Sequence, residues 1–363
     1  MRNFTRGHAP QVDDLDCILV AENEDVLVTV QNGVGLITLN RPKAINSLTH
    51  PMVNAMSKAL TDWEHDDDIH AVVLSGAGER GLCAGGDIVE VYNSARAGGG
   101  DAAKFWYDEY LLNGQIARYP KAYVALMDGI VMGGGVGVSA HANVGVVTET
   151  TKMAMPEVGI GFIPDVGGTY LLSRAPGRVG LYAALTGAPF DGADAIAMGF
   201  ADHYVPHGKL ADFRQSIVDD GVDAALAAHA IEPPASNLLA LRHWIDECFA
   251  GDTVEDIIAA LRGHDAGPAN DAANLIATRS PISVSVALEA IRRAADLETL
   301  EDVLRQEYRT SCGSLRSHDL VEGIRAQVID KDRNPKWSPP TFAAVTQSDV
   351  EAYFAPADPD LTF

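Results

Sequence analysis

Hydrophobic positions near the beginning of the chain change from a strand-like pattern to a helix-like one. The apolar segments 26–30 and 35–39 flank a turn that contains Asn32 and Gly33, and this spacing predicts a β-hairpin. Within residues 49–63 the apolar side chains recur at intervals of three and four, which predicts an amphipathic helix. We therefore expect a strand pair followed by a helix.

Three further apolar segments, 71–75, 122–127 and 144–148, predict buried strands. Glycine-rich turns follow the first two, and helical spacing resumes after the glycines. This repeated order of strand, glycine turn and helix predicts an α/β layer fold. Because the pattern becomes helical from about residue 210, we expect an α/β core over residues 24–210 and a helical C-terminal region over residues 211–363.

Composition narrows the class of protein. The 363 residues are 47% hydrophobic and 21% charged, which is ordinary for a globular protein with a substantial core. A net charge of −23 argues against nucleic acid or an anionic membrane as a partner, and no apolar run is long enough to predict a membrane span. The start of the chain lacks an apolar signal segment, and the cysteines lack metal-binding or disulfide-type spacing. We expect a cytoplasmic protein without a bound metal; the four cysteines are Cys17, Cys83, Cys248 and Cys312.

Two glycine clusters, at 83–87 and 132–137, follow predicted strands. Glycine lets bare backbone N–H groups approach a ligand, and those of Gly86 and Gly134 could together form an oxyanion hole. Either cluster alone is equally well explained by tight packing between a strand and a helix. The segment 135–140 also matches the loose dinucleotide-binding pattern G-x-G-x-x-A, but a lone match of this kind is weak. Both clusters together favour the oxyanion hole.

Two carboxylates, Glu157 and Asp165, flank the apolar segment 158–163. The ordinary role of such residues is a solvated loop charge or a helix cap. Apolar surroundings instead predict raised pKa values, which suit general acid–base chemistry near neutral pH. Asp87 stands where a helix should begin, and we favour a capping role for it over catalysis. Cys83 has no identifiable base partner, so we interpret it as a packing residue.

These motifs resemble the enoyl-CoA hydratase/isomerase (crotonase) superfamily. The residues that carry the resemblance are the segment Asn-Arg-Pro-Lys-Ala-Ile-Asn at 40–46, the first glycine cluster at 83–87 and the glycine triplet at 133–135. The resemblance covers about residues 24–210. It implies a spiral of ββα units that binds an acyl-CoA thioester.

The resemblance also implies roles for individual residues. The N–H groups of Gly86 and Gly134 match the oxyanion hole of the family. Lys43 and Ala44 match the segment that lies beside the adenine of CoA. Because CoA is part of the substrate, no separate cofactor is implied. Relatives of this family often form trimers, so self-association is implied, although the helical region could cover the surface used for it.

One position departs from the hydratases. Hydratases of this family carry two catalytic glutamates, and the second is matched here by Glu157. The first lies three residues after the second glycine of the triplet, where this chain has Gly137. Water addition that depends on two carboxylates is therefore not expected.

The pattern instead resembles the 3-hydroxyisobutyryl-CoA hydrolase branch of the family. The matching segments are 132–137, 155–157 and 162–168, and the acid that this branch carries on the preceding helix is matched by Glu109. The helical tail matches as well, at 307–309, 318–326 and 330–337, so the resemblance reaches nearly the full chain.

This branch implies hydrolysis of a short β-hydroxyacyl-CoA, and the substrate that it implies first is 3-hydroxyisobutyryl-CoA from valine catabolism. Glu157 would attack the thioester carbonyl or activate water, and the sequence leaves both routes open. Asp165 would orient water or the substrate hydroxyl, and Glu109 would help to bind the hydroxyl end. With Asp87, Lys43 and Ala44, Glu109 completes the predicted substrate-binding set. The alternatives are enoyl-CoA hydration or isomerisation that uses Glu157 alone, and an acyl-CoA-binding protein without turnover.

Overall fold

The computed structural model describes residues 24–363, so the start of the chain and Cys17 lie outside the described residues. Within this range the strands are β1 Val26–Gln31, β2 Val34–Leu39, β3 Ala71–Gly76, β4 Ala122–Met127, β5 Ile130–Met132, β6 Val144–Val147, β7 Lys152–Ala154, β8 Phe190–Asp191 and β9 His203–Tyr204. The helices up to the last strand are α1 His50–Glu64, α2 Ile88–Arg96, α3 Gly100–Ala117, α4 Gly134–Gly137, α5 Gly168–Arg174, α6 Val179–Thr186 and α7 Gly192–Met198.

The chain after β9 is helical. Its helices are α8 Leu210–Asp220, α9 Val222–His229, α10 Asn237–Ala240, α11 Arg242–Cys248, α12 Val254–Gly263, α13 Gly267–Ala277, α14 Pro281–Asp296, α15 Leu300–Ser314, α16 His318–Ile324 and α17 Gln347–Glu351. Short 3-10 turns occur at Pro42–Ala44, Glu157–Ile160, His207–Lys209, Phe342–Ala344 and Ala352–Phe354, and a π-helical turn occurs at Arg325–Ile329. The predicted change to helices near residue 210 is confirmed.

Two sheets organise the first part of the chain. The larger has the strand order β1-β2-β3-β4-β6-β9, in which β1 and β2 are antiparallel and the later pairs are parallel. The smaller has the order β5-β7-β8. The predicted hairpin is confirmed: Asn32 and Gly33 both have positive φ angles, of 47° and 75°, as the tight turn between two twisted strands requires.

The main hydrophobic cluster joins the two parts of the chain. It contains side chains of β2 and α3, such as Ile37 and Trp106, and also side chains of the helical region, such as Trp244 and Ile291. A smaller cluster packs α8 and α9 against the other face of the larger sheet, through residues such as Phe213. Because helices from both sides of residue 210 share one core, a domain boundary there stays a prediction.

Candidate active site

A cavity of about 340 Å³ brings together five of the residues predicted from the sequence. Gly86 and Gly134 lie in one part of its wall, and Glu109, Glu157 and Asp165 lie in another. These residues come from two glycine turns, one helix and one loop, so the fold assembles them from four separate segments. We call the first part the glycine wall and the second the carboxylate wall.

The glycine wall presents backbone N–H groups to the cavity. The N–H of Leu48 donates to Gly85 O at 2.8 Å, and the N–H of Asp87 donates to Leu48 O at 2.7 Å. This pairing leaves the N–H of Gly86, between them, directed to the other side. Gly134 begins α4, and the first N–H groups of a helix have no partner within the helix. Among residues 24–363, neither Gly86 N–H nor Gly134 N–H donates to a protein acceptor.

The two peptide units are close enough to act on one atom. A Cβ added at Gly134 would lie 3.4 Å from Gly86 N and 2.5 Å from a carboxylate oxygen of Glu109. A side chain at position 134 would therefore displace the carboxylate of Glu109. An oxyanion hole formed by these two donors stays a prediction.

The carboxylate wall holds three acids that are nearly inaccessible to solvent. Glu109, on α3, is 2% exposed, Glu157 is 6% exposed and Asp165 is 4% exposed. Oε1 of Glu109 and Oε2 of Glu157 are buried and, within the described residues, have no hydrogen-bond partner. Buried acceptors normally have a partner, so these two oxygens mark positions where a substrate hydroxyl or water would bind.

Burial changes the protonation of these acids. It raises the pKa of Glu109 and of Glu157 well above the usual range for a glutamate, and the neighbouring charge of Asp165 raises both further. Burial also raises the pKa of Asp165 to about 7, although a hydrogen bond from Tyr110 opposes that effect. These directions agree with the raised pKa values predicted for Glu157 and Asp165.

The position that carries an acid in hydratases has no room for one. A Cβ added at Gly137 would lie 2.6 Å from Cβ of Val166 and 2.9 Å from Nδ2 of Asn113. Both neighbours belong to the packed interior, since Val166 is 1% exposed and Asn113 is fully buried. The absence of a second hydratase carboxylate is therefore built into the packing around α4.

Asp87 corrects one interpretation of the sequence. It occupies the residue before α2, and its backbone carbonyl accepts from the N–H groups of Glu90 and Val91. Its side chain, however, does not cap the helix and instead accepts from Nη2 of Arg41 at 3.0 Å. Arg41 competes successfully for the carboxylate because the two charges attract each other. Asp87 is not part of the cavity wall, and its predicted contact with substrate stays a prediction.

The predicted CoA-contacting residues lie outside the cavity. Lys43 and Ala44 are exposed and belong to the 3-10 turn Pro42–Ala44. Nη2 of Arg80 donates to Lys43 O at 2.6 Å, which fixes this turn from outside. An exposed position suits contact with the outer end of a long ligand, but the role of both residues stays a prediction.

The structure also excludes an alternative nucleophile. Cys83 is fully buried, and burial raises the pKa of its thiol to about 12. A thiol that stays protonated is a poor nucleophile, so its predicted packing role is confirmed. Cys83, Cys248 and Cys312 are all free thiols.

Several residues around the cavity were missed by the sequence reasoning. Arg279 and Gln327 from the helical region line it, and Tyr110 and Glu307 support the loop that carries Asp165. Glu307 accepts from Gly167 N–H at 2.6 Å and from the N–H and hydroxyl of Thr169. A signal for Glu307 did exist, because it is an acid on the apolar face of α15.

Comparison of the sequence with known protein families and proteins identifies the family of this chain. The family model described as enoyl-CoA hydratase/isomerase matches residues 34–354, so the chain belongs to this family. It is similar to the mitochondrial 3-hydroxyisobutyryl-CoA hydrolase of Danio rerio, with 39% identity over 345 residues that cover 92% of this chain and 90% of the relative. It is also similar to 3-hydroxyisobutyryl-CoA hydrolase 1 of Arabidopsis thaliana, with 39% identity over 92% of each chain.

Solved structures confirm the predicted crotonase-like α/β fold. A carnitinyl-CoA dehydratase from Mycobacterium thermoresistibile is 72% identical with a TM-score of 0.92, over 94% of this chain and 99% of that chain. An enoyl-CoA hydratase from Rhodobacter sphaeroides is 40% identical with a TM-score of 0.88, over 93% of this chain and 100% of that chain. Within residues 24–363, no helix has both the length and the apolar character needed to cross a membrane.

Proposed function

We propose that this protein hydrolyses the thioester bond of a short β-hydroxyacyl-CoA, with 3-hydroxyisobutyryl-CoA of valine catabolism as its first substrate. One observation carries the proposal. Two unpartnered N–H groups, of Gly86 and Gly134, face buried carboxylates that include Glu157, while position 137 has no room for a second hydratase acid. The names of the Danio rerio and Arabidopsis thaliana relatives support this reaction class.

The glycine wall would bind the thioester carbonyl oxygen. Attack on the carbonyl carbon places a negative charge on that oxygen, and the N–H groups of Gly86 and Gly134 would be directed at it before the reaction begins. In acyl-transfer enzymes, removing one such donor costs about 3–4 kcal/mol of transition-state stabilisation. Because the donors are backbone groups, they need no reorganisation when the charge develops.

Glu157 would act directly on the thioester or on water. As a nucleophile it forms an acyl–glutamate anhydride and expels the CoA thiolate, and water then cleaves the anhydride. As a general base it takes a proton from the water that attacks the carbonyl carbon, and the thiolate leaves from the tetrahedral intermediate. Both routes need Glu157 as the carboxylate and give the same acid and CoA.

The other acids would orient the reactants. Asp165 is fixed by Tyr110 and would accept a hydrogen bond from water or from the β-hydroxyl group. Oε1 of Glu109 lacks a partner within the described residues and would accept from the hydroxyl end of the acyl group. CoA is part of the substrate, so the reaction needs no separate cofactor. Lys43 and Ala44 would contact its adenine at the surface.

Hydration of an enoyl-CoA, or the reverse dehydration, is the second candidate. The names of the solved structures from Mycobacterium thermoresistibile and Rhodobacter sphaeroides favour it, as a dehydratase and a hydratase. Glu157 alone would then have to serve as both acid and base. Packing of Val166 and Asn113 against Gly137 makes the usual two-carboxylate arrangement unreachable, and we therefore prefer hydrolysis.

The test is thiol release from 3-hydroxyisobutyryl-CoA by the purified protein and by its Glu157→Gln variant. We expect rapid release by the wild type and a loss of about a thousandfold in kcat in the variant, with substrate still bound. Glu90→Gln is the matched control, because Glu90 is an exposed acid on α2 outside the cavity. Binding without thiol release by the wild type would contradict the proposal and favour an acyl-CoA-binding protein.

We also propose that the protein acts in the cytoplasm and that it self-associates. Scattered free cysteines suit a reducing compartment, whereas the Danio rerio relative carries a mitochondrial name. Sedimentation velocity at several protein concentrations tests self-association. A monomer at every concentration would contradict that part of the proposal.

A further inference from the structure

The side chain of Asp165 is held by a tyrosine. The hydroxyl of Tyr110 lies 2.6 Å from Oδ2 of Asp165 and 2.7 Å from Oγ of Ser311. Tyr110 and Ser311 are both fully buried. The three side chains therefore form one buried hydrogen-bonded chain that links α15, through α3, to the cavity wall.

The number of protons on the two hydroxyl groups determines which group donates in each of these hydrogen bonds. A phenol has one proton, so if Tyr110 donates to Asp165, its oxygen can accept from Ser311. Within the described residues the hydroxyl of Ser311 has no other hydrogen-bond partner, which leaves its proton for Tyr110. A distance of 2.6 Å is typical of a hydroxyl that donates to an ionised carboxylate.

Among the described residues, the cation that lines the same cavity is Arg279, and its guanidinium donates to Thr186 O rather than to Asp165. The titratable groups that face Asp165 are Glu109 on α3, Glu157 in its 3-10 turn and Glu307 on α15, and the pKa of each is raised. Nε2 of His141 donates to the neighbouring Val166 carbonyl at 2.8 Å, and burial lowers the pKa of this histidine, which favours the neutral ring. Within residues 24–363, Asp165 forms no ion pair with Lys or Arg.

The same helix, α15, also fixes the backbone beyond Asp165. Glu307 lies one helical turn before Ser311 and accepts from the N–H groups of Gly167 and Thr169. The ring of Tyr308 packs edge-on against Tyr110, with ring centroids 6.2 Å apart. One helix of the C-terminal region thus controls the loop of Asp165 through its backbone and through its side chain.

We propose that Ser311 and Tyr110 are positioning residues, which hold Asp165 as an oriented carboxylate for the reaction. This inference rests on the proposed hydrolase function. No proton is transferred in this relay, by which we mean the hydrogen-bonded chain of Ser311, Tyr110 and Asp165. Ser311 donates to Tyr110, Tyr110 donates to Asp165, and each proton stays on its own oxygen. Without the tyrosine hydroxyl, burial would push Asp165 further toward its protonated form.

The experiment compares Tyr110→Phe and Ser311→Ala with the wild type in thiol release from 3-hydroxyisobutyryl-CoA across a range of pH. Tyr110→Phe should lower kcat by about tenfold or more, with a change in KM below about threefold. It should also move the acidic limb of kcat/KM upward by about one pH unit, since removing the donor favours protonated Asp165. Ser311→Ala should shift the limb in the same direction by a smaller amount.

Tyr308→Phe is the matched control. It removes a tyrosine hydroxyl from α15 while it keeps the ring that packs against Tyr110, and it should leave the pH profile unchanged. Identical pH profiles for Tyr110→Phe and the wild type would overturn the inference, as would equal shifts in Tyr110→Phe and Tyr308→Phe. If Tyr110→Phe does not fold, Ser311→Ala gives the result by itself.

An infrared titration of the substrate-free protein separates this inference from the proposed function. The C=O band of a protonated carboxyl, assigned to Asp165 by its loss in Asp165→Asn, should appear at higher pH in Tyr110→Phe than in the wild type. A wild type that releases no thiol would contradict the proposed hydrolase while this band still tests the relay. An unchanged midpoint in Tyr110→Phe would overturn the relay even in an active hydrolase.

Discussion

The glycine wall and the carboxylate wall of the cavity are built in different ways. Gly86 and Gly134 present their N–H groups through short turns, in which neighbouring backbone groups determine the geometry. The carboxylate wall combines Glu109 of α3 with Glu157 and Asp165, and it depends on contacts from α15. The donors are therefore positioned by backbone pairing, which for Gly86 involves Leu48, whereas the acids require side-chain support from distant helices.

The two walls also differ in their effect on stability. An unpartnered N–H at a helix start is a small loss, because the first N–H groups of any helix lack partners within it. A buried carboxylate is costly when ionised, and here three lie together. In the carboxylate wall, the groups proposed for catalysis therefore lower the free energy of unfolding.

The largest expected effect follows from Glu157→Gln. The variant keeps the shape of the side chain but removes the carboxylate, so kcat should fall by about a thousandfold. At alkaline pH the free energy of unfolding should rise by about 1–2 kcal/mol, because a buried charge is no longer formed. Urea denaturation beside thiol-release kinetics measures both quantities. Loss of stability together with activity would contradict the contrast between the walls.

The glycine wall should respond to added methyl groups. Gly134→Ala would place Cβ 2.5 Å from the Glu109 carboxylate, so we expect kcat to fall by about a hundredfold as the donor is displaced. Gly86→Ala would place Cβ 3.2 Å from the edge of the Phe105 ring, which can shift, so we expect a loss of about tenfold or less. Steady-state kinetics of both variants measures the order, and a larger loss in Gly86→Ala would contradict it.

Activity and stability should depend on pH in opposite directions. The pKa of Asp165 is raised to about 7, and its carboxylate is the active form, so kcat/KM should fall as the pH is lowered through about 7. An acid with a raised pKa contributes stability below its unfolded pKa and loses it as the pH rises through the folded value. The free energy of unfolding should therefore decrease between about pH 4 and pH 7.

Asp165→Asn tests the origin of that pH dependence. In the variant the decrease in the free energy of unfolding over this range should become smaller, since one of the titrating groups is gone. Denaturation curves at several pH values measure the change. An unaltered pH dependence of stability in Asp165→Asn would show that Asp165 is not responsible.

The smallest expected effect follows from Asp87→Asn. Asp87 pairs with Arg41 at a partly exposed position outside the cavity, so we expect a loss of stability of about 1 kcal/mol or less and an unchanged kcat. Thermal unfolding and steady-state kinetics measure both. A several-fold rise in KM would instead support the predicted contact between Asp87 and substrate.

The parts of the molecule that were predicted from the sequence are those with local signals. The hairpin turn at Asn32 and Gly33, the amphipathic helix α1 and the two glycine clusters all follow from residues that are close together in the chain. The raised pKa values of Glu157 and Asp165 were also predicted, because their loop is itself apolar.

The parts that were not predicted depend on distant contacts. Tyr110 and Ser311 are 201 positions apart and meet only when α15 packs against α3. The predicted side-chain cap by Asp87 was wrong because Arg41, 46 positions earlier, takes its carboxylate. Neither contact leaves a mark in the spacing of nearby residues.

The most direct test follows the fate of one substrate, 3-hydroxyisobutyryl-CoA, which can either be hydrolysed or lose water. Free thiol and the 2-methylacrylyl thioester are measured in the same reaction with the wild-type protein. Hydrolysis by Glu157 facing the N–H groups of Gly86 and Gly134 predicts thiol release with little unsaturated thioester. Accumulation of the unsaturated thioester without free thiol would contradict it and assign the cavity to a hydratase or dehydratase.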